Sequence, residues 1–160
     1  GKITCKKDSH SLTNKIPLPQ DTVIKIESDS ITVTCLRANK KSNAVINSFI
    51  AHLNNMFRGL ENKFVYELEI CNVHFPMTVK VDGKKIVISN FLGEKKNRVA
   101  EILPDVDVEV KGQKIFVSSR DIQHAGQTAA NIEKATWITK RDRRVFQDGC
   151  FIVSKGGEIL

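Results

Sequence analysis

The chain has 160 residues, of which 41% are hydrophobic and 27% are charged, and its formal net charge at pH 7 is +7. This composition excludes a disordered chain, and the length allows either one core or two small ones. No apolar run approaches the roughly 18 residues that span a bilayer, and no apolar stretch follows the basic first residues as in a secretory signal. We therefore expect a cytosolic protein with a polyanion partner and no membrane partner.

A weak internal repeat relates residues 21–33 to residues 105–117. In both segments, two stretches of alternating apolar and polar residues flank a polar turn, which is the pattern of a β-hairpin. Ser28 and Asp29 provide turn-forming side chains in the first copy, and Gly112 tolerates a positive φ in the second. The repeat predicts two domains of similar topology.

A helical pattern follows each predicted hairpin. The first extends over residues 42–57, with Ser42 as the N-cap and Gly59 as the C-terminal stop. The second extends over residues 125–134. The first helix should bury Ile46, Phe49 and Leu53 against Ile24, Ile26, Val33 or their neighbours in the sheet.

Further strands are predicted on both sides of the middle of the chain. Residues 63–70 and residues 145–153 alternate apolar and polar side chains, and residues 77–88 form a hairpin around an Asp-Gly pair. The pattern predicts an α+β protein of two similar domains, each an antiparallel sheet packed on one helix. The predicted domains are residues 1–75 and residues 76–160.

The sequence contains none of the usual catalytic or metal-binding patterns. It lacks a Gly-rich phosphate loop and a nucleophile elbow, and its four His residues lack metalloprotease spacing. The Cys residues are far apart, and only Cys71 and His74 have the spacing of metal ligands. We therefore expect no enzymatic activity, no cofactor, no metal ion and no small-molecule substrate.

Basic residues concentrate in three segments predicted to be connections: residues 37–41, residues 95–98 and residues 140–144. Lys and Arg in such segments neutralise RNA phosphates without reading the base sequence. Phe91 and Trp137 lie near two of these segments, where they could stack on bases. Trp137 could equally pack into the core at the end of the second helix.

The candidate RNA-binding residues all lie in the predicted second domain, and they are Lys95, Lys96, Arg98, Gln127, Asn131, Lys140, Arg141, Arg143 and Arg144. Arg suits this role because its planar guanidinium donates two hydrogen bonds to one phosphate. Gln127 and Asn131 are four residues apart and share one helix face. The alternative for each Arg of the last cluster is an ion pair with a nearby acidic residue that only stabilises the fold.

Three motifs together resemble a known family: residues 90–95 (NFLGEK), residues 126–133 (GQTAANIE) and residues 141–149 (RDRRVFQDG). They are similar to large-subunit ribosomal protein six, in its archaeal and eukaryotic branch, which is called protein nine in eukaryotes. The resemblance implies a duplicated sheet-and-helix fold without catalysis or a cofactor. It also implies binding to ribosomal RNA, mainly by the C-terminal domain, near the sarcin-ricin loop and the stalk base where translational GTPases dock.

The resemblance has one departure, because members of the family usually carry an extra hairpin between their first strands and the helix. Here residues 34–36 lead almost directly into the helical pattern, so the first domain is expected to lack that hairpin. The resemblance thus implies a structural protein of the large subunit in the cytoplasmic ribosome, with rRNA and stalk-base ribosomal proteins as partners and translational GTPases nearby. The alternatives are a free-standing RNA-binding regulatory module and a small enzyme acting on nucleic acid.

Overall fold

The computed structural model describes residues 2–7, 10–16, 18–19, 22–27, 30–36, 39–156 and 158–159. The chain divides into two compact units, Gly1–Glu61 and Asn62–Leu160. Each unit combines antiparallel β-structure with one long helix in its described part. This architecture confirms the predicted α+β class with two similar sheet-and-helix domains.

The first unit consists of two antiparallel hairpins and a helix. Strand β1 (Lys2–Lys7) pairs with β2 (His10–Lys15), and β3 (Thr22–Ile26) pairs with β4 (Ile31–Cys35). Helix α1 (Lys40–Glu61) follows β4 after a short connection. The hairpin predicted from the repeat is thus present, although its expected turn residues, Ser28 and Asp29, lie outside the described residues.

Helix α1 is longer at both ends than the pattern predicted. The side chain of Asn39 accepts a hydrogen bond from the Ser42 backbone N–H at 2.8 Å, so Asn39, and not Ser42, caps the helix. Asn and Ser are about equally good caps, which explains why the start was misplaced. Gly59 is buried inside the helix and does not end it.

The core of the first unit lies between α1 and the β1–β2 hairpin as well as β4. Phe49 and Leu53 are buried with Ile16, and Val33 packs against this cluster. The prediction was wrong for β3, because Ile26 is 78% exposed. The β1–β2 hairpin, which the sequence pattern did not reveal, provides part of the apolar surface that β3 was expected to supply.

The second unit contains, in chain order, β5 (Phe64–Cys71), β6 (Thr78–Asp82), β7 (Lys85–Ser89), β8 (Arg98–Glu101), β9 (Val106–Lys111), β10 (Lys114–Ser119), α2 (Ile122–Ala135), β11 (Gly149–Lys155) and β12 (Glu158–Ile159). One antiparallel sheet has the order β12-β11-β5-β10-β9, and a second has the order β6-β7-β8. Both predicted hairpins have a Gly with positive φ at the start of the loop, Gly83 and Gly112.

Strand β5 belongs to the second unit. It lies at the centre of the five-stranded sheet between β10 and β11, whereas a boundary between residues 75 and 76 placed it in the first domain. Its inward side chains, including Leu68 and Ile70, join one apolar cluster with Ile115 and Ile132. The division of the chain into units therefore falls between Glu61 and Asn62, which corrects the assignment of this strand.

Helix α2 covers this core with small residues. Ala125, Ala129 and Ile132 are fully buried, and the Asp121 side chain caps the helix by accepting a hydrogen bond from the Gln123 backbone N–H at 2.8 Å. Strand β11 begins at Gly149, so the strand predicted over residues 145–153 starts later than expected. The preceding residues form a connection that is held by buried side-chain hydrogen bonds.

Candidate nucleic-acid interface

Two basic segments of the second unit meet at one surface. The β7–β8 connection (residues 90–97) and the α2–β11 connection (residues 136–148) jointly line a small cavity of about 80 Å³. Glu94 and Arg98 contribute from one side, and Thr139 and Arg141 contribute from the other. The segments that were predicted separately as RNA-binding are therefore neighbours in space.

Arg98 makes its hydrogen bonds inside the protein. Its guanidinium donates to both carboxylate oxygens of Glu94, at 2.9 and 2.6 Å. It also donates to the backbone carbonyls of Ala135 and Trp137, each at 3.0 Å. The hydrogen bond from Arg98 holds the pKa of Glu94 below its usual value. Arg98 thus joins the β7–β8 connection to the end of α2.

Phe91 is buried and is unavailable for stacking on a base. The guanidinium carbon of Arg98 lies 4.2 Å from the centre of its ring. The turn around Phe91 is tight, because Asn90, Leu92 and Gly93 all have positive φ values. Of the two aromatic side chains considered for stacking, Phe91 is therefore excluded, whereas Trp137 is exposed.

Six of the candidate cations have exposed side chains, and these are Lys95, Lys96, Lys140, Arg141, Arg143 and Arg144. Lys95 and Lys96 follow Glu94 in the β7–β8 connection, and Lys140 takes a positive φ of 63° in the α2–β11 connection. Long cationic side chains at such positions reach phosphates without leaving a buried core.

Two of these exposed residues, Arg141 and Arg144, have partners within the α2–β11 connection. Arg141 lies over the ring of Phe146, with its guanidinium carbon 4.8 Å from the ring centre. Arg144 donates from Nη2 to Asp142 at 2.7 Å, and its side chain is otherwise exposed. The hydrogen bonds from Arg144 hold the pKa of Asp142 below its usual value. The alternative of a local ion pair is therefore present for Arg144.

Gln127 and Asn131 share one face of α2, as their spacing predicted. The Gln127 amide donates to the Asn131 side-chain oxygen at 2.9 Å, and the Asn131 amide donates to the Glu101 carbonyl at 3.1 Å. Asn131 therefore fastens α2 to the end of β8. Gln127 is the more exposed of the two and lies closer to solvent.

Asp148 is the residue of this site that sequence reasoning missed. This residue is only 1% exposed, and its carboxylate accepts hydrogen bonds from the backbone N–H groups of Val73, His74 and Phe75 at 3.1–3.3 Å. The His74 imidazole adds a contact at 2.9 Å. Burial by itself would raise the pKa of Asp148, but these hydrogen bonds, first of all the one from His74, hold the pKa below its usual value. Asp148 thus fixes the end of the α2–β11 connection to the β5–β6 connection.

Cys71 and His74, the two residues with the spacing of metal ligands, make other contacts in the structure. His74 contacts Asp148 through Nδ1, and burial raises the pKa of the Cys71 thiol. Burial raises the pKa of the nearby Cys150 to about 12. In the described part of the chain, no three His, Cys, Asp or Glu side chains are grouped as metal ligands. No helix in that part combines the length and apolarity of a membrane span.

Comparisons with known proteins specify the family to which this fold belongs. Residues 75–149 match the family model for ribosomal protein L6. The chain is 38% identical over 160 residues to large ribosomal subunit protein uL6 of Methanococcus vannielii, covering 100% of this chain and 87% of the relative. It is 43% identical over 148 residues to uL6 of Methanosphaera stadtmanae (92% and 77%). It is 41% identical over 153 residues to uL6 of Haloarcula marismortui (96% and 85%).

The chain therefore belongs to the ribosomal protein L6 family, and its similarity to these relatives places it in the archaeal branch. This result confirms the resemblance inferred from the three sequence motifs. It also identifies the protein as structural and non-enzymatic, as expected from the lack of catalytic patterns in the sequence.

Proposed function

We propose that this chain is a structural constituent of the large subunit of the cytoplasmic ribosome and binds rRNA mainly through its second unit. The contact lies near the sarcin-ricin loop and the stalk base, where the protein supports the site used by translational GTPases and neighbours other ribosomal proteins. Membership in the L6 family supports the ribosomal role. The similarity of the three motifs supports the finer location.

One observation supports the choice of surface most directly. The β7–β8 and α2–β11 connections lie side by side, and exposed Lys95, Lys96 and Lys140 project from them. Phosphate contacts of this kind position a protein on RNA and contribute most of the salt-dependent affinity. The basic residues of the two connections therefore form a single RNA-binding surface.

The intramolecular contacts divide the candidate residues into two groups. Arg98 and Asn131 hold elements together, because their polar groups bind backbone carbonyls and neighbouring side chains. The proposed contact residues are the exposed ones: Lys95, Lys96, Gln127, Lys140, Arg141, Arg143 and Arg144. Arg144 remains in this group because its side chain is largely exposed despite its bond to Asp142.

The proposal is tested by replacing Lys140, Arg141, Arg143 and Arg144 with Gln. If about four to six phosphates are neutralised, log affinity for rRNA falls against log salt with a slope of roughly −3 to −5. The variant should flatten this slope and weaken incorporation into large subunits. The matched control replaces Lys2, Lys6, Lys7 and Lys15 of the first unit and should have a smaller effect. Equal losses in both variants would contradict the assignment to the second unit.

Sedimentation separates the proposal from a free-standing regulatory module. A ribosomal protein should co-sediment almost entirely with large subunits in a sucrose gradient, whereas a regulatory module should remain largely in the light fractions.

Hydroxyl-radical cleavage of the rRNA from a probe attached near Lys140 tests the proposed location of the protein on the large subunit. We expect cuts at the sarcin-ricin loop and the stalk base, and cuts confined to other rRNA regions would refute the finer placement.

A further inference from the structure

The second unit contains a cleft of about 780 Å³ next to the α2–β11 connection. This volume is within the range of roughly 300–1,000 Å³ that is typical of ligand-binding clefts. Aromatic and aliphatic side chains of Trp137, Ile138, Phe146 and Phe151 line it, together with Arg143 and Arg144. The cleft thus combines apolar walls with cationic groups at the surface proposed to bind RNA.

Trp137 is the unusual member of this lining. Trp137 is 56% exposed although it lies two residues after the end of α2, where a residue serving as a core plug would be buried. A large apolar ring exposed among cations fits stacking on a base better than it fits packing of the core. The structure thereby distinguishes between the two roles that the sequence left open.

The other aromatic ring near the cations already has partners. Phe146 has the Arg141 guanidinium 4.8 Å from its centre and the His74 ring 5.1 Å away. By contrast, the guanidinium carbon of Arg143 lies 6.0 Å from the Trp137 ring, which is about the outer limit for a cation–π interaction. Trp137 is therefore the better platform for an incoming base.

The charges around the cleft favour an anionic ligand. Asp148 is occupied by the amides of residues 73–75, and Glu133 accepts a hydrogen bond from the Ile152 backbone N–H at 3.3 Å. Arg144 is balanced by Asp142. Arg143 has no ion pair within the described part of the chain, so its charge is available to a phosphate.

From these contacts we infer that the cleft binds one unpaired RNA nucleotide, with its base stacked on Trp137 and its phosphate held by Arg143. The inference rests on the proposed function of this surface. Bases within an A-form duplex are not available for stacking on a side chain, whereas bulged or looped bases are. The second unit therefore recognises a bulged or looped position in RNA as well as the charge of the backbone.

The test compares two RNA hairpins that have the same stem and differ only by a single-nucleotide bulge. Trp137 is the only Trp of the chain, so its fluorescence in the full-length protein reports on the cleft. We expect the bulged hairpin to quench this fluorescence and to bind roughly 5- to 150-fold more tightly than the paired hairpin, which is the range for one stacked base. The paired hairpin should bind through charge alone, with little quenching.

Variants assayed with labelled RNA complete the test. Trp137→Ala should abolish the preference for the bulge, and Trp137→Phe should keep most of it. Phe57→Ala, which removes an exposed aromatic ring from α1 of the first unit, is the matched control and should change nothing. An undiminished preference in Trp137→Ala, or equal quenching by both hairpins, would overturn the inference. If the unmodified protein binds both hairpins in a salt-dependent way but without a preference for the bulge, only the nucleotide site is refuted. If the unmodified protein shows no salt-dependent binding to either hairpin, the proposed function itself is refuted.

Discussion

The two units of this protein use similar elements but bury them to different depths. In the first unit, Phe49 and Leu53 of α1 are buried, while Ile24 and Ile26 of the neighbouring hairpin remain exposed. In the second unit, α2 lies over a core in which Leu68 and Ile132 are fully buried. A helix of small residues contacts its sheets closely, whereas the longer α1 covers only part of its hairpins.

This difference affects where a binding surface can be built. The β7–β8 and α2–β11 connections are long and polar, but Arg98 and Asp148 attach them to the well-packed second unit. A site holds its geometry when side chains fixed by packing and hydrogen bonds support it. In the first unit no comparable buried carboxylate is found among the described residues. The supported connections thus carry the proposed RNA contacts.

The largest effect is expected from the small core of the first unit. Phe49→Ala should lower the free energy of unfolding of this unit by about 3–5 kcal/mol, because it removes a buried ring and leaves a cavity. Ile50→Ala is the control on the same helix, since Ile50 is 42% exposed and its loss should cost under about 0.5 kcal/mol. Urea unfolding measures both variants. Equal costs would mean that the buried face of α1 is misassigned.

A smaller effect should follow from Asp148→Ala, which removes the acceptor for three backbone N–H groups and an imidazole. We expect a loss of roughly 2–4 kcal/mol in the second unit, since each unsatisfied buried donor costs about 1–3 kcal/mol. RNA binding should weaken as well, because the α2–β11 connection loses its attachment. Unchanged RNA affinity in a folded variant would show that Asp148 does not position the basic residues.

The pH dependence of stability provides the control for Asp148. Its pKa is lower in the folded protein than its ordinary value of 3.8, so its stabilising contribution is complete above pH 3.8 and is lost as the pH falls through the folded pKa. Asp148→Asn retains one acceptor oxygen but does not titrate. Its unfolding free energy should decline less between pH 4 and pH 2 than that of the parent protein, and equal declines would contradict the assignment.

The smallest effects are expected from substitutions of Arg98 and Arg143, which should differ in whether they change stability or RNA binding. Arg98→Gln should lower stability by about 1–3 kcal/mol, because the guanidinium bonds Glu94 and two carbonyls. Arg143→Gln should leave stability within about 0.5 kcal/mol and reduce the salt slope of RNA binding by roughly 0.7–0.9. Thermal unfolding and RNA titrations at several salt concentrations measure the two quantities. If Arg143→Gln lowered stability and Arg98→Gln changed only the salt slope, the roles assigned to the two residues would be wrong.

The sequence by itself determined the features that depend on neighbouring residues. Alternation and a Gly in the turn predicted the β6–β7 and β9–β10 hairpins, and apolar spacing predicted both helices, because these patterns reflect the geometry of a single element. The motifs at residues 90–95, 126–133 and 141–149 were sufficient to indicate the family. The basic segments were also evident without a structure.

Tertiary structure alone decided which elements and side chains meet. Strand β5 has the same alternation whichever sheet it joins, so only its pairing with β10 and β11 places it in the second unit. Arg98 and Arg143 both belong to basic segments, and the sequence does not distinguish their roles. Only the packed structure shows that Arg98 donates hydrogen bonds to two backbone carbonyls. Asp148 meets the amides of residues 73–75 from far along the chain. Such contacts depend on how distant segments are brought together, and local patterns carry no information about that.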